Sequence, residues 1–393
     1  MDAHWRGKIG WGEDFAPENG AAWEKATHEL CGGPLSAFSK VVRPNTMVKT
    51  LLVIGGGGYI GSTVTFNALT TTDMNVIVFD KLMYGGSSLF QFFSLEKRFE
   101  FVYGDVRMGI PKWTAFLKEH AVDFVFNAAA LVGEHICKKY PQDAQEINED
   151  ASIDVAEACA AAKCARYIFA STCSNYGMTE DFVDESAPTY PLSLYATTKI
   201  NTENHLLNPK SCPGLACTVL RFATIYGLAA RVRFDLLVHE FIRDCFVEKR
   251  LEIYGPDGWR PFLHVNDAAR AVILICAQHD TVPAREIYNV GADDQNFQKK
   301  ALGKLIQERL PQAEVVYRTD KADKRSYKVN FGKIKALGFR PQHDPKISVD
   351  QIVSGLESGL IRVDQLEESV NVTKDDAIRK DTTEHVHVNR SRL

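Results

Sequence analysis

Long apolar runs are what this chain most clearly lacks. A membrane-spanning helix needs roughly 20 consecutive apolar residues, and the best stretch, Ala268 to Ala277, is shorter and carries Arg270. The nine cysteines form no CxxC pair and no finger-like Cys/His spacing, so neither a zinc site nor a disulfide framework is expected. Their odd number fits reduced core thiols in a reducing, cytoplasmic compartment. Charge of one sign is also missing: 46 basic side chains face 50 acidic ones, which leaves no chain-wide field for nucleic acid or an anionic membrane. Phosphate recognition must be local. Internal repeats and low-complexity segments are absent. The start, Met1 to Pro44, contains Trp5, Trp11 and Trp23 but no basic run followed by an apolar block, so no secretory leader is expected. His385-Val386-His387 lacks further ligands and predicts no metal, and the final Ser391-Arg392-Leu393 is a loose variant of a peroxisomal address.

What is present is a regular alternation. Residues 1–46 form an extension, with a short helix expected near Ala21 to Leu30 before the breaker Gly32-Gly33-Pro34. From Val48, short apolar runs alternate with helix-like segments, as in βαβ units. Strands are expected at Thr50 to Ile54, Asn75 to Phe79, Phe99 to Tyr103, Phe124 to Asn127, Tyr167 to Ala170, Ala216 to Arg221 and Ile287 to Val290. Helices are expected at Gly61 to Leu69, Trp113 to Glu119, Ala144 to Ala162 and Tyr195 to Leu207. The pattern predicts an α/β fold, a doubly wound parallel sheet over 47–225 completed by about 262–290. A smaller mixed lobe would be assembled from 226–261 and 291–369, followed by an exposed polar tail at 370–393.

The glycine run after the first strand has the context of a dinucleotide site. Gly55 permits the tight exit from the strand, Gly58 lets backbone approach a pyrophosphate, and Gly61 allows close helix packing, with Tyr59 and Ile60 opening a helix whose amino terminus faces the phosphates. Asp80 ends the second strand where a carboxylate would accept from the adenosine ribose hydroxyls, which favours NAD over NADP; Lys81 adjoins it. Asp105 and Val106 follow the third strand, Asp105 either meeting the adenine amino group or serving as a turn residue. Asn127, Ala128 and Ala129 follow the fourth, where small residues let backbone pass beneath the cofactor.

Tyr195 and Lys199 stand one helical turn apart on one face. A phenol ordinarily titrates near pH 10, and a neighbouring ammonium lowers that value and suits it to act as a base. Tyr317 and Lys321 share the spacing but follow no strand ending in hydroxyl residues and read as surface. Upstream, Tyr167 to Ala170 runs into Ser171-Thr172-Cys173-Ser174-Asn175-Tyr176-Gly177, which brings hydroxyls to the carboxyl end of a strand, where open α/β sheets bind ligands. Thr172 is the expected hydrogen-bond partner of the substrate oxygen, with Ser174 and Asn175 beside the substrate and Cys173 either beside it too or a small packed thiol.

Taken in order, the GxxGxxG run, Asp80, GDVR, NAAA, the STCSNYG segment and YxxxK resemble the extended short-chain dehydrogenase/reductases, specifically the nucleotide-sugar epimerases and dehydratases. The resemblance spans about Val48 to Ser369. It implies a Rossmann domain, tightly held NAD, a nucleotide-diphosphate sugar as substrate, a homodimer built on the helices near Ala144 and Tyr195, and Thr172, Tyr195 and Lys199 as catalytic triad. It also implies diphosphate binding by Arg260 and Arg325, with Arg233 a third candidate, since a guanidinium fork suits phosphate. The stretches Leu131 to Cys137 and Arg231 to Leu237 are similar to the GDP-heptose 4-dehydrogenase subgroup. One departure bears on the reaction. Family 4,6-dehydratases usually carry Asp-Glu after the triad Thr, whereas this chain has Cys173-Ser174, two neutral groups poorly suited to protonating a leaving hydroxyl. The expected activity is therefore an NAD-dependent epimerase or 4-dehydrogenase acting at C4; a dehydratase or decarboxylase, or a non-catalytic NAD-binding scaffold, is the alternative.

Overall fold

A computed structural model describes residues 48–95, 97–320, 325–366, 371 and 386–388. The extension before Val48, Lys321, His385 and Ser391-Arg392-Leu393 lie outside the described residues. Seven strands form the central sheet: β1 (Thr50–Ile54), β2 (Asn75–Asp80), β3 (Phe99–Tyr103), β4 (Phe124–Asn127), β5 (Arg166–Thr172), β6 (Ala216–Phe222) and β7 (Arg285–Val290). All seven run parallel, in the order β7-β6-β5-β4-β1-β2-β3. Helices cover both faces, so the inner strands are buried on both sides and need no polar alternation; every residue of β1 is buried.

The longer helices against the sheet are α1 (Tyr59–Thr71), α2 (Ile110–Glu119), α3 (Ala151–Ala162), α4 (Leu194–Leu207) and α5 (Val265–Ala277). One core, around Val53, Val78, Ala68 and Val272, packs α1 and α5 on one face. A second, around Leu52, Trp113, Val155 and Phe169, packs α2, α3 and α4 on the other. The helix expected from Ala144 to Ala162 is interrupted by a wider turn at Glu146–Asp150 before α3. This turn aims Asn148 sideways: its Oδ1 accepts from Leu131 N–H at 2.8 Å and its Nδ2 donates to Leu131 O at 3.0 Å.

Sheet order reverses about β1, which lies between β2 and β4, and there the crevice of such a sheet opens. Ile54 pairs in register with Phe79 and with Asn127, so the three strands end level and their following loops converge. The lobe has its own core around Tyr226, Phe241, Leu251, Phe262 and Ile352. Its strand Trp259–His264, which carries Arg260, joins Thr224–Tyr226 and Asn296–Gln298.

Part of the tail is paired with the sheet. Val386–Val388, β8, pairs antiparallel with β3, with Val386 opposite Tyr103 and Val388 opposite Phe101. A bare edge strand presents a row of unpaired amides and carbonyls, and a short extended segment satisfies them. Asn371 is likewise engaged, accepting from Arg231.

Candidate active site

The turn from β1 into α1 is shaped by close backbone approach. Gly55 has φ +81°, and a Cβ there would come within 2.8 Å of Ala129 N, the loop after β4. A Cβ at Gly61 would collide with Gly55 O. The first turn of α1 has no side-chain cap, so its N–H groups remain directed at the crevice as an anion site. A pocket of about 950 Å³, open mouth included, is lined by Gly55, Gly57, Gly58, Tyr59, Ile60, Gly61, Asp80, Lys81, Asp105, Val106, Ala128 and Ala129. A glycine turn, an uncapped helix start and a strand-end carboxylate together fit a dinucleotide.

The carboxylates of this pocket have different tasks. Asp80 accepts from Gly57 N–H at 2.8 Å and Leu82 N–H at 2.6 Å, which fixes it against the glycine turn; burial raises its pKa above the ordinary carboxylate value. Asp105 receives a two-pronged Arg107 at 3.0 and 2.8 Å and Lys81 Nζ at 3.0 Å. Although burial opposes it, these cations hold Asp105 well below the usual carboxylate range. Lys81 is thereby drawn toward Asp105. Asn127 braces the loop after β4: fully buried, it donates to Tyr167 OH at 2.8 Å and Ser152 Oγ at 3.2 Å, and its Oδ1 accepts from Ala129 N–H at 3.1 Å.

Three residues on the same pocket were not assigned there from the sequence. Tyr84 and Arg231 line it, as does Asn371. Arg233, expected at the substrate diphosphate, lines it too and holds Asp235 in a fork at 3.0 and 2.7 Å. The pairing of two arginines one residue apart was a visible signal; Asn371, within a polar tail, gave none.

The residues expected to react lie where α4 packs on the end of β5. Lys199, 2% exposed, donates to Ala170 O at 2.8 Å and lies 4.5 Å from the Phe169 ring centroid and 5.8 Å from that of Tyr195. Burial lowers its pKa to about 8. The expected acidification of Tyr195 is not produced by the protein alone: burial raises this phenol well above its ordinary value, and the cation opposing it is Arg233 rather than Lys199. Thr172 Oγ1 lies 2.8 Å from Ser174 Oγ and accepts from Ser174 N–H at 3.1 Å.

Two expected substrate contacts turn inward. Cys173 is 1% exposed and its thiol donates to Arg221 O at 3.1 Å, with burial raising its pKa; it is a core group. Asn175 is fully buried and donates to Glu203 Oε1 at 2.9 Å and Ser171 Oγ at 3.2 Å. They belong to a buried polar layer, absent from the sequence reading, in which Glu203 accepts the Arg221 fork and the Ser171 hydroxyl, and Arg221 Nη1 donates to Tyr176 OH at 3.0 Å. The available signal was Glu203, four residues after Lys199 on one helix face.

Arg260 and Arg325 are neighbours. Arg260 is buried, donates to Trp259 O at 2.8 Å and to Arg325 O, and stands 5.2 Å from the Tyr327 ring centroid. Arg325 lines a second cavity with Lys299, Arg250 and Tyr254. Among the described residues no helix is long and apolar enough to cross a membrane.

Comparison with known proteins follows the same lines. Residues 51–291 match a sequence model described as the NAD dependent epimerase/dehydratase family. The chain is 30% identical over 254 residues to an uncharacterised UDP-glucose epimerase of Bacillus subtilis, covering 61% of this chain and 76% of that protein. It superposes on the UDP-glucose 4-epimerase of Thermotoga maritima, solved with UDP-glucose, with TM-score 0.68 and 25% identity, covering 79% of this chain and 99% of the other. A dTDP-glucose 4,6-dehydratase of Streptomyces venezuelae, solved with NAD, also gives TM-score 0.68 and 25% identity, over 79% and 97% of the two chains.

Proposed function

Because the chain belongs to the NAD-dependent epimerase/dehydratase family, we propose that it oxidises a nucleoside-diphosphate sugar at C4, as an epimerase or a 4-dehydrogenase, with Tyr195 as the base. The observation that carries this reading is the Lys199 bond to Ala170 O, which ties the Tyr195 helix to the strand ending in Thr172. Bound NAD supplies the hydride acceptor, and in epimerisation the hydride donor.

Tyr195 takes the sugar hydroxyl proton. Its raised pKa keeps it protonated in the protein alone, so proton removal depends on further positive charge brought close to the phenol. Thr172 and Ser174, sharing one hydrogen bond, present hydroxyls that orient the substrate oxygen. Neither Cys173, buried against Arg221 O, nor neutral Ser174 supplies the acid for loss of a hydroxyl, which disfavours 4,6-dehydration. Arg260 and Arg325 would hold the diphosphate.

The test is Tyr195→Phe. Incubated with UDP-glucose and other nucleotide sugars, the wild type is expected to give an epimer of unchanged mass, or a keto product two hydrogens lighter with a rise in reduced-nicotinamide absorbance. The variant should retain NAD and lose turnover. Unchanged product formation by the variant refutes Tyr195 as base.

A further inference from the structure

Two arginines stand on the wall of the dinucleotide pocket, and they are not equivalent. Arg233 is paired with a carboxylate, the Asp235 fork. Arg231, among the described residues, has only neutral direct partners: the Tyr84 ring, whose centroid lies 4.3 Å away, and Asn371 Oδ1 at 2.7 Å. Burial and the adjacent Arg233 both work against its charge, while Tyr84, Asp235 and Asp80, none of the carboxylates in direct contact, act more weakly in its favour. The Tyr84 hydroxyl is itself buried without a hydrogen-bond partner. A half-buried guanidinium beside a second cation, and an unpaired phenol hydroxyl in the same wall, are electrostatically incomplete. An anion entering the pocket completes both.

Asp80 decides which anion. It is fixed to the Gly57 amide at the end of β2, where its carboxylate would repel an extra phosphate on the adenosine ribose. Lys81, the cation next to it, is held by Asp105.

Resting on the NAD reading above, we infer that Arg231, stacked on Tyr84 and oriented by Asn371, is a second phosphate anchor for the dinucleotide and binds its pyrophosphate together with the start of α1.

Calorimetric titration of the full chain with NAD and with ADP-ribose, and ligand-observed NMR titration with adenosine, separate the phosphate from the nucleoside. Arg231→Met is expected to weaken NAD and ADP-ribose by about tenfold or more, as for loss of a charge-assisted bond, and to leave adenosine unchanged. Asn371→Asp sets a carboxylate against the guanidinium and competes with the phosphate; it should weaken both nucleotides while the melting temperature holds or rises, which excludes misfolding as the cause. Equal nucleotide affinity in wild type and Arg231→Met, or a proportionate loss for adenosine, overturns this inference alone. A wild type that binds no NAD overturns the proposed function with it.

Discussion

Removing the charge of Lys199 should change how stability responds to pH, and the sign follows from burial. The ammonium is 2% exposed and finds one carbonyl and two ring faces but no carboxylate in direct contact, so the folded state prefers it neutral. Its pKa falls from the ordinary 10.5 to about 8. Below about pH 8 the lysine is protonated in both states and the penalty of burying its charge is fully present. Between about 8 and 10.5 the unfolded chain binds the proton that the folded chain has released, so stability rises with pH. At about 1.4 kcal/mol per pH unit the whole interval amounts to about 3 kcal/mol, of which about 2.5 kcal/mol is gained by pH 10. Lys199→Met retains most of the apolar stem and has no such dependence. Urea unfolding followed by tryptophan fluorescence, from pH 7 to 10, gives the two curves; groups common to both proteins cancel in their difference. The wild type is expected to gain on the variant by about 2.5 kcal/mol over that range. Parallel curves would mean that the ammonium keeps its hydration, and the placement of Lys199 beneath Tyr195 would be refuted.

Glu203→Gln removes the carboxylate under the Arg221 fork and leaves a buried cation unpaired, which is expected to cost about 3–5 kcal/mol of stability in denaturant unfolding; a loss below about 1 kcal/mol, the scale of a surface pair, would contradict the burial of that ion pair. Cys173→Ala should cost about 1 kcal/mol and leave the reaction product unchanged by mass spectrometry, because the thiol faces Arg221 O in the core. A change of product would make the thiol a participant.

The sequence revealed the parts whose chemistry repeats along the chain. The seven strands β1 to β7 were legible because short, mostly apolar runs bounded by turn residues have few other uses, and the glycine turn because its place between strand and helix restricts what it can do. Side-chain direction was not legible. Thr172, Cys173, Ser174 and Asn175 look alike as a polar segment, yet the short turn at Cys173–Tyr176 alternates their exposure, turning Cys173 and Asn175 into the core and leaving Thr172 and Ser174 half-buried. The Glu203 to Arg221 pairing joins α4 to β6, an encounter that only the sheet order creates. Asn371 could not be found from sequence because nothing local distinguishes it from the polar residues around it.

The layered arrangement also bears on which of the two proposed reactions the protein performs. In epimerisation the hydride taken from the sugar must return to it, so releasing the reduced cofactor in mid-cycle abolishes turnover. A 4-dehydrogenase, in contrast, must exchange its cofactor every cycle. The elements that would retain a dinucleotide here come from several parts of the chain: the glycine turn after β1, Asp80 after β2, and the Arg231 and Asn371 pair reaching in from beyond β6. Retention from several directions is a disadvantage for an enzyme that must release its cofactor and an advantage for one that must keep it, which favours epimerisation. The rate of NAD release, measured by exchange against labelled NAD, should accordingly be far below kcat on the best sugar nucleotide. Release faster than turnover, with one reduced cofactor appearing per keto-sugar formed, would assign the protein to net oxidation instead.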